Sequence, residues 1–145
     1  MILIVVYGMP APQGSKRYVG TSKAGRGIMV ESSKAVAPWR EAVKFAATRE
    51  RERIGMRDPL DGPLQVEMTF SMPRPKSAPK SRHRPDRAPD LSKLIRSTED
   101  ALTDAGVWID DARVVECRAR KVYVGTGGYG ALMTPGCRIR VEALS

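Results

Sequence analysis

Residues 90–124 read DLSKLIRSTEDALTDAGVWIDDARVVECRARKVYV, and they carry a helix, a stop and a strand in one continuous run. Leu91, Leu94, Ile95, Ala101 and Leu102 recur at helical spacing and fall largely on one face. Asp90 stands where an N-cap belongs and Gly106 where a helix stops, so the spacing predicts a helix over about 91–105. Past Asp110 and Asp111 the period changes. Val115, Cys117 and Ala119 alternate with Glu116, Arg118 and Arg120, which is the period of a strand.

Working outward, the same two periods recur. MILIVVYG (1–8) is a buried first strand closing at Gly8, and IMVES (28–32) a short second one. SSKAVAPWREAVKFAATRERER (32–53) is a helix with Ala37, Val43, Phe45, Ala46 and Ala47 on its inner side. Pro38 fits only near its start. PLQVEMTFSM (63–72) alternates Leu64, Val66, Met68 and Phe70 with polar residues, and CRIRVEAL (137–144) does the same with Cys137, Ile139 and Val141. The order β–β–α–β–α–β–β predicts an α/β (α+β) domain over residues 1–145, with a single mixed sheet and two helices packed on it. Two basic, proline- or glycine-rich loops interrupt it, at 8–27 and 73–89. The second reads as a mobile arm.

Charge points to the partner class. Twenty-five Lys and Arg against 16 Asp and Glu give a formal net charge of +9, which suits a polyanion. The first loop offers Lys16 and Arg17 for phosphates, and the second offers Lys80, Arg82 and Arg84. The longest apolar run, MILIVV, is too short for a bilayer, so no membrane partner is expected. It also lacks the basic start and cleavage site of a secretory signal, so a cytoplasmic location is expected. Cys117 and Cys137 read as buried thiols of a reducing compartment. A single histidine, His83, makes a histidine-based zinc site or a serine triad improbable.

The adjacent carboxylates Asp110 and Asp111 admit two readings. Asp is ordinary in a turn, as Asp90 is at a helix N-cap. If Asp90 and Asp111 instead meet on neighbouring elements beside the basic loops, the set has the composition of a magnesium-dependent phosphodiesterase.

PDLSKLIRSTEDALTDAGVWIDDARVVECRARK (89–121) closely resembles the signature region of RusA-type Holliday junction resolvases. GMPAPQGSKR and PWREAV are similar to that family's opening and first helix. The resemblance implies a homodimeric, Mg²⁺-dependent endonuclease of four-way DNA junctions, with Mn²⁺ as a possible substitute. Asp90 matches the first metal-binding aspartate, Asp111 the one that opens the strand, and Asp110 its acidic neighbour. Arg96 takes the place of a catalytic lysine, and Asp100 matches the helix aspartate. Ser92 departs from the pattern, which commonly has a second aspartate there; a serine offers a hydroxyl or a held water without charge. Lys93, where an Asn commonly follows, joins the residues expected on DNA. Glu99 lies about 20° around the helix from Ser92 and about 10 Å along it. The alternative is a junction- or DNA-binding descendant with weakened catalysis; a basic RNA-binding protein is the third reading.

Overall fold

The computed structural model describes residues 1–14, 34–126 and 128–145 with their side chains, and the backbone of the strands at 16–21 and 27–31. In chain order the elements are β1 (Ile2–Tyr7), β2 (Lys16–Thr21), β3 (Gly27–Glu31), α1 (Val36–Ile54), β4 (Leu64–Met72), α2 (Leu91–Asp104), a 3₁₀ turn (Asp111–Arg113), β5 (Val114–Tyr123) and β6 (Gly136–Ala143). One four-stranded mixed sheet has the order β1-β6-β4-β5. β6 pairs antiparallel with both β1 and β4, while β5 runs parallel to β4. The expected α+β architecture therefore stands, with one addition. β2 lies inside the segment expected as a loop at 8–27, and pairs with β3 in a separate two-stranded sheet.

β4 is the spine. Its residues from Met68 to Met72 are all buried, because strands flank it on both sides and α1 and α2 pack against one face. Leu64, Val66, Met68 and Phe70 point into that face with Ile4, Val6, Ile139 and Val141. The helices meet through a polar bond: the Trp39 indole N–H donates to Thr98 Oγ1 at 3.1 Å, and Thr98 donates to the Leu94 carbonyl at 2.8 Å. Thr98 and Ser97 are fully buried, and each has its hydrogen bond, which is what makes the burial tolerable.

Three expectations change. Within α1 the buried face is Val36, Trp39, Val43 and Ala47, whereas Ala37 and Phe45 face outward. The helix starts at Val36, and that phase turns Phe45 to solvent. Cys117 is exposed, because β5 is an edge strand and α2 covers it only in part; Cys137, on the inner strand β6, is buried as expected. Both thiols are free. The arm at 73–90 has a defined path. Arg74 donates to the carbonyls of Arg82 (2.6 Å) and Pro79 (2.7 Å) and lies 5.0 Å over the Tyr123 ring, while Lys121 ties down the carbonyls of Arg87 and Pro89.

Candidate active site

β4, α2 and β5 form a βαβ unit, and its helix organises every candidate residue. α2 buries Leu94, Ser97, Thr98, Ala101 and Leu102. The opposite stripe therefore faces out: Ser92, Lys93 and Arg96 are exposed, with Glu99, Asp100 and Thr103 half-buried further along.

At the C-terminal end the stripe becomes acidic and ordered. Gly106 takes φ +75°, and a Cβ there would come within 2.9 Å of the Arg51 guanidinium, which itself donates to the Ala105 carbonyl at 3.0 Å. The positive φ is what calls for glycine here, since the guanidinium is the end of a flexible side chain that can move aside. The chain then pairs with Leu60 through Val107 and Ile109, which seats Trp108 in the core and brings Asp111 back onto the helix. The Trp108 indole N–H donates to Thr103 Oγ1 at 2.6 Å, and the Thr103 hydroxyl donates to Asp111 Oδ1. Asp100 lies close enough to Asp111 for the two carboxyl groups to act on each other. Partial burial, then the charges of Asp111 and Asp100, push the Glu99 carboxyl up to about 7. Burial and Asp111 raise Asp100 as well, against the partial relief of Arg40 and Arg96. Asp110 is engaged locally: its carboxylate caps Ala112 N at 2.8 Å and pairs with Arg113 at 3.4 Å.

The N-terminal end is different in kind. Asp90 occupies the N-cap position, as expected, but its side chain makes no capping hydrogen bond. It is exposed, with Lys93 at 3.9 Å, and the carbonyl of its neighbour Pro89 is held by Lys121 at 2.8 Å. Lys80 and Arg84 are exposed on the adjoining arm, while Arg82 is partly occupied by Asp86 at 3.6 Å.

Asp90 and Asp111 thus sit at opposite ends of α2. Thirteen residues separate Asp90 from Thr103, Asp111's partner, which is about 20 Å of helix. Within one chain they do not meet, because β5 runs back along the helix from Asp111 toward Asp90. Ser92 lies near Asp90, and Arg96 between the two ends, close enough to Asp100 to act on its charge. Among the described residues, no three His, Cys, Asp or Glu side chains are arranged to hold a metal ion. The side chains of Lys16 and Arg17 lie outside the described residues. Thr103 is the residue that sequence reasoning missed. Its signal was its spacing, three residues after Asp100 and one helical turn before the Gly106 stop.

Crossover junction endodeoxyribonucleases of Enterobacteria phage 82 and Escherichia coli (strain K12) are each 51% identical to the chain over 47 residues. That segment covers 32% of this chain and 39% of each relative, so the match spans well under half of their length. An uncharacterized Bacillus subtilis (strain 168) protein, YqaN, is 27% identical over 133 residues, covering 84% of this chain and 87% of its own. The family model described as endodeoxyribonuclease RusA matches residues 8–130, taking in both helices, the arm, β5 and the carboxylates at each end of α2. The chain belongs to the RusA family of endodeoxyribonucleases.

Proposed function

We propose that the protein is a Mg²⁺-dependent, structure-selective endonuclease that resolves four-way DNA junctions as a homodimer. The carrying observation is the arrangement along α2: carboxylates at both ends of an exposed helical stripe, with a guanidinium between them. Asp100, Asp111 and Glu99 are close enough for their charges to act on one another, raising Glu99 and Asp100. These are hard oxygen donors whose mutual repulsion a divalent cation relieves. One chain does not complete the set. A twofold axis beside the stripe runs two α2 helices antiparallel, which brings each Asp90 to the partner's Asp111. A near-symmetric junction also needs two matched cuts, which two such sites supply.

A bound Mg²⁺ supplies an activated water and charge stabilisation at the scissile phosphate. The chain's own residues do the rest. Thr103, braced by buried Trp108, fixes the Asp111 carboxylate. Arg96 presents a permanent positive charge at the middle of the stripe, where a lysine would present a compact ammonium. Lys93, Lys80 and Arg84 flank the Asp90 end and hold the phosphate backbone, with Arg82 shared between that role and Asp86. Lys16 and Arg17 belong to the same expected DNA set. Ser92 in place of a carboxylate favours a second reading, a junction-binding protein with weakened catalysis.

Cleavage of a synthetic four-way junction with and without Mg²⁺ separates the two readings. Asp90→Asn and Asp111→Asn should each lower cutting at least about 100-fold, the scale on which losing a preorganised transition-state contact acts, while junction binding persists. Mixing the two inactive variants tests the shared site. A heterodimer carries one site with both changes and one with neither, so single-strand nicking should return. If each site lies within one chain, every heterodimer site carries one change and the mixture stays inactive. That result sinks the shared arrangement. If neither change affects cutting in the first place, the catalytic assignment itself is wrong.

A further inference from the structure

The face of the sheet turned away from the helices carries a second concentration of positive charge. Strand register builds it. Thr69 on β4 pairs with Arg120 on β5 and with Arg138 on β6, so the two arginines stand in one row on either side of a neutral hydroxyl. The next row has the same plan with one difference: Glu67 lies between Arg118 and Arg140. There the charge is compensated, since Arg140 pairs with Glu67 at 3.7 Å and with Glu142 at 3.3 Å. In the Thr69 row no carboxylate answers the two guanidiniums among the described residues. Arg120 Nε donates to Thr69 Oγ1 at 3.4 Å, and Arg138 lies 4.5 Å over the Tyr129 ring.

The loop after β5 shapes this row into a site. Gly130 takes φ +82°, and a Cβ there would meet Thr69 Oγ1 at 3.0 Å and Arg138 Cδ at 3.5 Å, so only a glycine lets the loop lie so close to the row. Gly128 lies beside Arg120, its Cβ position 3.8 Å from Nη1, an ordinary contact distance. Leu132 N donates to the fully buried Ser71 hydroxyl at 2.8 Å, which pins the loop to β4. The result is a depression of about 280 Å³ lined by Thr69, Arg118, Arg120, Tyr129 and Arg138, with Glu67 at its compensated edge. Tyr129 is 67% exposed despite its contact with Arg138.

We propose that this row is a phosphate-binding subsite for a nucleic-acid strand, on the sheet face opposite α2. Two strands' separation places the backbones of Arg120 and Arg138 about 10 Å apart, within the span at which two long side chains converge on one group above Thr69. Guanidinium forks match a phosphate's oxygens two at a time, and a small open depression admits the group without closing around it. The exposed Tyr129 ring beside that position offers a platform for the adjoining base, and Arg138 on its other side polarises it. The ligand is thus a phosphate with a base attached. The inference rests on the DNA-binding half of the proposed function and needs neither the dimer nor the metal.

The test pairs an Arg120→Gln/Arg138→Gln double variant with the charge-keeping Arg120→Lys/Arg138→Lys variant and with Tyr129→Ala, each checked by its thermal unfolding midpoint. Neither arginine is ion-paired, so the midpoints should hold. For a synthetic junction, the Gln variant should weaken binding about five- to tenfold and lower the slope of log affinity against log salt by about 1. The Lys variant should keep most of the slope. NMR titration of the wild type separates the sources of phosphate. A single-stranded octanucleotide should shift the Arg120 and Arg138 Nε–H and Tyr129 ring signals at concentrations at least about tenfold below those needed with a mononucleotide or inorganic phosphate, because stacking and neighbouring phosphates add. Equal potency of the mononucleotide would overturn the strand in favour of a free nucleotide. An unchanged salt slope in the Gln variant, or no shift with the octanucleotide, would overturn the subsite. A protein that engages oligonucleotide through these groups yet neither prefers nor cuts junctions refutes the proposed function alone; one that cuts junctions with the Gln variant's slope unchanged refutes the subsite alone.

Discussion

The two ends of α2 belong to the same 14-residue helix yet obey different physics. At the C-terminal end Trp108, Thr103 and Asp111 form a hydrogen-bonded chain anchored in the core, with Asp100 and Glu99 perturbed beside it. At the N-terminal end Asp90 is exposed, uncapped and loosely attended by Lys93. One end is preorganised and holds crowded negative charge. The other is free to be organised by whatever meets it. Carboxylates crowded together without a cation hold their protons more tightly, and burial with mutual repulsion raises both Glu99 and Asp100 at the C-terminal end. Asp111 is set by the fold, whereas on the proposed reading Asp90 finds its place only in the dimer.

Three substitutions probe that asymmetry, in falling order of their effect on stability. Thr103→Val removes the hydroxyl between Trp108 and Asp111, leaving a buried indole N–H with only a long contact. The loss should be about 1–3 kcal/mol in urea unfolding, with Thr103→Ser close to wild type. A neutral Thr103→Val would mean that the C-terminal end is no more organised than the other.

Glu99→Gln comes second and carries a sign. The Glu99 carboxyl is raised from 4.5 to about 7, so the folded state holds its proton more tightly than the unfolded chain. Stability from this group is full below about pH 4.5 and is lost as the pH rises to about 7, because the folded protein must then ionise a half-buried acid beside two others. Replacing it with Gln should therefore stabilise the protein at pH 8 by about 1 kcal/mol, after allowance for solvent screening at a half-exposed group. The gain should shrink as the pH falls and vanish near pH 4.5. A gain that is independent of pH would show that neither burial nor the charges of Asp111 and Asp100 raise the Glu99 carboxyl.

Asp90→Ala should be nearly silent in stability. An N-cap Asp that makes its hydrogen bond is worth about 0.5–2 kcal/mol, but here the bond is missing, and the expected cost is below about 0.5 kcal/mol. Cutting, on the proposed reading, should nonetheless be lost. A large destabilisation would return Asp90 to the role of an ordinary cap and weaken its place in the site.

Much of this was legible along the chain, and the legible part is what depends on local periodicity. The amphipathic repeat of α2, the Gly106 stop, and the alternation of β4 and β6 follow from near neighbours, so the expected α+β order holds. The same stretch of residues carries the resemblance that the family match bears out. β2 was hidden because KRYVGT has charges and a glycine where a strand signal needs alternating apolar residues, and its partner β3 decides it. Cys117 and Val115 alternate as a buried strand would, yet only sheet order reveals that β5 is an edge with little above it. Phe45 reads as core by composition, but the phase of α1 is set by Trp39 reaching Thr98. By itself the sequence determined every element but β2, the basic balance and the identity of the candidate carboxylates, since each is a property of residues close in the chain. Only the tertiary structure decided which carboxylates meet, that Asp90 and Asp111 stand a helix length apart, and that Arg120 and Arg138 flank Thr69, because those relations depend on strand order and register between residues far apart in sequence.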